Sequence, residues 1–205
     1  MDADTFLQQL RDAHGTELSR LSSSKAVYAL TGGEMTGDAV RTGTARELHD
    51  LTSVLDEWPE TSEDEAADLF ADAAVFAATS AGNFDTEAAS DAATSITADA
   101  LAGRESDVER LAGAAAALLV LEELAGQLVG FFVGDADRTS ADEFREFRSE
   151  LAEYRDDAAD LLAERCGDDA DRTTANEVGA DVIDGAYDWY VETLEGMGVE
   201  PKNVC

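Results

Sequence analysis

The sequence predicts an all-α protein: an antiparallel bundle of about six helices packed around one buried central helix. Three observations carry this expectation. Apolar residues make up 44% of the chain and recur at steps of three and four, the period of a helix with one covered face. Proline occurs only at Pro59 and Pro201, and the β-branched runs that favour strands are scarce. Several segments also open on a hydroxyl residue followed three positions later by Glu, a pattern that satisfies the free N–H groups of a helix start.

In chain order, the first helix is expected from about Asp4 to Leu30, with Leu7, Leu10, Leu18, Leu21 and Tyr28 along one face. Gly32 and Gly33 stop it. A second, from about Gly37 to Trp58, presents Val40, Leu48, Leu51 and Leu55 and is closed by Pro59. Ser62 with Glu65 opens a third, bearing Leu69, Phe70, Ala73 and Phe76. From Asp85 to Leu101 runs a short alanine-rich segment of weak helical character. Ser106 with Glu109 opens a helix from Asp107 to about Val133 that is apolar nearly all round, from Leu111 through Leu118 to Leu121 and on to Phe132. A helix without a polar face belongs at the centre of a bundle, and the small residues from Ala112 to Ala117 let its neighbours approach. Ser140 with Glu143 opens the next, Ala141 to Cys166, whose seam is Phe144, Phe147, Leu151, Tyr154, Ala158 and Leu161. Its remaining faces, Arg145, Glu146, Arg148, Glu150, Arg155, Asp156 and Asp157, are expected in water. Thr174 with Glu177 opens the last helix. Neither an internal repeat nor a long linker divides the chain, so residues 1–205 read as one domain.

Charge describes the setting. There are 46 acidic and 14 basic residues, a formal charge of -32, and the only lysines are Lys25 and Lys202. Such self-repulsion opposes a compact state in dilute buffer, but at 1 M salt the screening length falls to about 3 Å. An acid-rich, lysine-poor surface therefore predicts a halophilic cytosol, and its acidity says nothing about basic partners. The apolar content excludes a disordered acidic chain. No apolar segment follows a basic start, so no secretory signal is expected. The longest apolar stretch, Leu111 to Leu121, is too short for a bilayer. The expectation is a soluble, cytoplasmic protein without membrane contact.

The chemistry-bearing residues are few. A carboxylate-bridged di-iron site in a helical bundle needs Glu-x-x-His on two helices. Arginine stands three before each histidine, Arg11 before His14 and Arg46 before His49, so neither metal nor cofactor is expected. Cys166 and Cys205 are too few for a disulfide framework. Cys166 falls at a helix C-terminus, where the dipole disfavours the thiolate, and Cys205 could join two chains on oxidation. There is no phosphate loop or Gly-x-Ser-x-Gly elbow. The arginines are scattered among acids, so direct nucleic-acid binding is not expected.

One polar arrangement stands out. Steps of three and four along the first helix place His14 and Lys25 on its apolar stripe beside Tyr28, while Glu122, Glu123 and Gln127 interrupt the most apolar helix. If the two helices pack together, a buried polar cluster results. It reads as a Lys25 ion pair with Glu122 or Glu123 that fixes helix register, as a lysine that snorkels to water, or as a small-molecule pocket lined by His14, Lys25, Tyr28 and Glu122 with perturbed pKa values.

The run Leu18-Ser19-Arg20-Leu21-Ser22-Ser23-Ser24-Lys25, the turn Gly130-Phe131-Phe132-Val133-Gly134-Asp135 and the tail from Tyr190 to Cys205 resemble a haloarchaeal family of acidic helical proteins. That family is similar to rubrerythrin and other ferritin-like bundles. The resemblance implies a ferritin-like fold; the metal ligands it would also imply are missing here. The heme-oxygenase-like bundle of the thiaminase II class is a second all-helical possibility. The expected function is that of a catalytically silent bundle acting through association, as a homo-oligomer such as a dimer or with another protein. The alternative is a small-molecule-binding protein or enzyme using the His14, Lys25 and Glu122 cluster.

Overall fold

The helical periodicity resolves into nine α-helices in a computed structural model that describes residues 2–84 and 95–201. Of these residues 82% are helical and none forms a strand. The count exceeds six chiefly because the first expected helix is three: α1 (Ala3–Ala13), α2 (Gly15–Leu21) and α3 (Ser24–Leu30). The breaks fall at His14–Gly15 and at Ser22–Ser23. Glycine is a poor helix former. The Ser23 hydroxyl donates to the Arg20 carbonyl at 2.6 Å, the local competition that makes serine a helix terminator. The apolar stripe survives both breaks, with Leu7, Leu10, Leu18 and Leu21 all buried.

Helix α4 (Gly37–Leu55) starts on Thr36, whose hydroxyl accepts from the Ala39 N–H at 3.2 Å, and ends before a 3-10 turn at Pro59–Thr61. Helix α5 (Asp64–Phe84) follows. It begins two residues after Ser62, whose hydroxyl accepts from Arg110 Nη1 at 2.9 Å. The expected alanine-rich segment ends in α6 (Ala98–Leu101), and residues 85–94 of it lie outside the described residues. Helix α7 (Asp107–Gly134) carries the expected Ser106–Glu109 box. Helices α8 (Arg138–Arg165) and α9 (Asp169–Gly196) start earlier than Ser140 and Thr174 would place them. Asp137 and Asp168 cap them instead, and Asp168 forms a reciprocal box with Asp171. A carboxylate caps a helix as well as a hydroxyl does, and this chain abounds in them.

Helices α7 and α8 are antiparallel neighbours. Phe132 stacks on Phe144 at 5.0 Å beside their short connection, and further along Glu122 pairs with Arg155. Helices α4 and α5 run antiparallel too: Trp58 meets Phe70 edge-on at 4.9 Å, while at the other end Arg41 lies 5.8 Å from the Phe84 ring. An aromatic layer of Phe76, Phe84, Phe144 and Phe147 joins α5 to α8. Helices α1 to α3 and α9 cover the opposite side of α7, with Leu10 and Phe6 against Gly179.

Helix α7 is the buried central helix. Every residue from Arg110 to Leu121 is buried, which requires cover on all sides. The full α7 is long and apolar enough to cross a bilayer, as Leu111–Leu121 alone is not; 56% of its most apolar window is buried inside the bundle. From Glu122 onward one face of it emerges.

Candidate functional site

The structure does not assemble the polar cluster expected from the sequence. His14, at the joint of α1 and α2, points its Nδ1 at Asp184 of α9, 3.2 Å away. Lys25 turns away from α7, and its Nζ donates to the Glu200 carbonyl at 2.6 Å. Nearby, the buried Tyr190 hydroxyl donates to the Pro201 carbonyl at 3.0 Å, so these two side chains pin the segment after α9. The rare lysine thus serves as an anchor, its long stem lying on the bundle while its charge reaches the surface. Tyr28 packs beside Gly33, whose φ of 86° only glycine adopts freely; a Cβ there would lie 2.9 Å from the phenol.

Glu122 is held from the other side. Its carboxylate pairs with Arg155 of α8 and lies 3.6 Å from Arg148 Nη2. Arg155, expected in water, is instead 9% exposed. It sits four residues after Leu151 and three before Ala158, on the inward seam, so the argument applied to Lys25 places it inside. Glu123 and Gln127 are half-buried on the emergent face of α7.

The most enclosed acid is one that the sequence reading passed over. Glu47 of α4 is 4% exposed. One oxygen accepts from Ser95 Oγ at 3.0 Å and the Ile96 N–H at 2.7 Å; the other accepts from the Thr97 N–H at 2.9 Å and Thr97 Oγ1 at 2.7 Å. These four donors fill the acceptor capacity of a carboxylate. They outweigh burial only in part: desolvation raises the Glu47 carboxyl to about 6 against those bonds. A signal existed, since Glu47 follows Val40 by seven and precedes Leu51 by four, on the apolar stripe. Its partners could not be read, being contributed by a loop far away in the chain.

Such a carboxyl has the pKa of a general base, but its acceptor sites are all taken by residues 95–97. The adjoining cavity, between Leu48, Leu124 and Phe147, holds about 10 Å³, and a second beneath Leu55 and Phe70 is equally small. Each suits one water at most. The half-buried Arg41 and the buried Arg110 are likewise occupied. Arg41 donates to Ser140 Oγ at 2.9 Å and Glu143 at 2.5 Å while lying within 5.9 Å of three phenyl rings. Arg110 reaches Ser62 and the Arg104 carbonyl beside Trp58. Cys166 is buried, and burial together with Asp171 pushes its thiol up, away from the reactive thiolate. Cys205 lies outside the described residues. No group of metal-ligating side chains occurs among the described residues.

No protein-family model matches this chain, and neither a curated protein nor a solved structure is similar to it.

Proposed function

We propose that this chain is a catalytically silent, ferritin-like helical bundle of a halophilic archaeal cytosol that acts through protein association. The observation that carries the reading is that its interior polar groups are bonded to one another. Glu47, Glu122 and Arg155 are engaged within the chain, beside cavities of about 10 Å³. The larger hollows, about 690 Å³ beside His14 and about 410 Å³ beside Arg138, open on the surface, whereas a small-molecule site buries most of its ligand. What the fold offers outward is a surface, with Val133 at 55% and Val75 at 66% exposure. The test is native mass spectrometry and metal analysis of the protein purified and held in molar KCl. The expected result is a chain without stoichiometric metal or small molecule; finding either in a 1:1 ratio refutes the proposal.

A further inference from the structure

Resting on that reading, we propose that Lys25 and Tyr190 form a recognition clamp for the extended segment Val199–Pro201, and that two copies of this chain associate by exchanging that segment. The clamp reads backbone. Lys25 Nζ donates to the Glu200 carbonyl at 2.6 Å and the Tyr190 hydroxyl to the Pro201 carbonyl at 3.0 Å. Two side chains from different helices, α3 and α9, thus hold two successive carbonyls. A residue before proline is confined to extended backbone, and proline has its own φ fixed, so little freedom is left for the clamp to freeze. Pro201 is buried, Val199 packs against the core, and Tyr187 stacks on Tyr190 at 5.9 Å. Extended proline-containing segments are recognised beside aromatic rings in this way. Both clamp groups remain donors: burial pushes the Tyr190 phenol up, and an ammonium has only hydrogens to offer.

One turn returns the segment to its own clamp. After α9 the backbone at Gly198 takes φ 74°. Its N–H reaches the Glu195 carbonyl at 2.9 Å, and that of Val199 reaches Leu194 at 2.8 Å. The chain then doubles back toward Tyr190. A Cβ on Gly198 would touch nothing within 4 Å, so glycine serves the backbone conformation there and not the packing. With the turn opened, residues 199–201 leave α9 and enter the clamp of a second copy, where they make the same bonds. Exchange of an identical element is a low-cost route to a dimer.

The balance then rests on the turn and on the effective concentration of a short tether, which is about millimolar. Charge opposes the exchange: Glu192, Glu195 and Glu200 are exposed at this end of each copy, against Arg20 and Lys25 beside Tyr190. Molar salt, which screens to about 3 Å, removes most of that repulsion.

Light scattering after size exclusion in molar KCl, on the full chain from micromolar to about 1 mM, tests the proposal. Valine disfavours the left-handed turn at position 198, and a dimer relieves two such turns. Gly198→Val should therefore reach twice the 21.7 kDa of one chain at a concentration at least about tenfold below the wild type. Adding Lys25→Met and Tyr190→Phe removes both donors at nearly constant side-chain volume. That combination should return the variant to a monomer with unchanged circular dichroism. A Gly198→Val chain that associates no more readily than the wild type overturns the proposal. So does a dimer that survives the loss of both donors, which would place association elsewhere on the bundle. Either failure leaves the association reading standing, since that falls on a bound metal or ligand.

Discussion

Glu47 makes a sharp quantitative test of how this core is held. Its carboxyl is raised from an ordinary value of 4.5 to about 6 by burial. The folded state therefore takes up this proton at a higher pH than the unfolded state does. The stability that the proton confers is fully present below about pH 4.5 and is lost as pH rises through about 6. A displacement of that size corresponds to about 2 kcal/mol. The other carboxylates of this acidic chain titrate in the same region, so the wild type alone cannot report it. The measurement is urea unfolding in molar KCl across this pH window, for wild type and Glu47→Gln in parallel. The substituted amide cannot titrate, and its nitrogen offers hydrogens to donors that need an acceptor, so two of the four bonds are lost. At every pH the variant should be less stable, each unmatched buried donor costing about 1–3 kcal/mol. The deficit should be greatest at low pH and shrink by about 2 kcal/mol as pH rises through about 6. A wild-type-minus-variant difference that stays flat across this window refutes the reasoning: Glu47 would then be neither desolvated nor clamped as described.

Other perturbations probe the remaining links. Arg155→Met leaves Glu122, whose side chain is 13% exposed, with Arg148 at 3.6 Å as its remaining cation and should cost up to about 3 kcal/mol in urea unfolding; Glu122→Leu added to it should recover most of that loss. Ala136 occupies the left-handed position after α7 at φ 60°, so Ala136→Gly should stabilise by about 1 kcal/mol, raising Tm by about 2–4 °C. Two glycine-to-alanine changes should act with opposite sign in the same thermal melt. Gly43→Ala drives a Cβ to 2.7 Å from the Leu30 carbonyl oxygen and should lower stability by about 1–3 kcal/mol. Gly82→Ala, with nothing within 4 Å, should raise it by up to about 1 kcal/mol.

Much of the fold was legible because local rules sufficed. The all-round apolar pattern between Leu111 and Leu121 named the central helix, since only complete cover tolerates it. The Ser106–Glu109 box marked its start correctly. Where two local signals competed, periodicity misled. The stripe from Leu7 to Tyr28 continues in phase through Gly15 and Ser22–Ser23, so it hid two breaks that the backbone preferences of those residues dictate. Starts were displaced at α8 and α9 because Asp137 and Asp168 cap as well as the hydroxyl residues that were sought.

The sequence by itself determined the helical class, the central helix and the acid-rich charge, because each depends on composition or on spacing of a few residues. Tertiary structure alone decided who holds whom. An inward stripe says that Glu47, Glu122, Arg155 or Lys25 lies near the core, but a buried charge must find its partner across a helix interface or from a distant loop. Those partners, residues 95–97 for Glu47, Arg155 for Glu122 and the Glu200 carbonyl for Lys25, are set by the packing angles and registers of whole helices. No spacing along one chain segment encodes them.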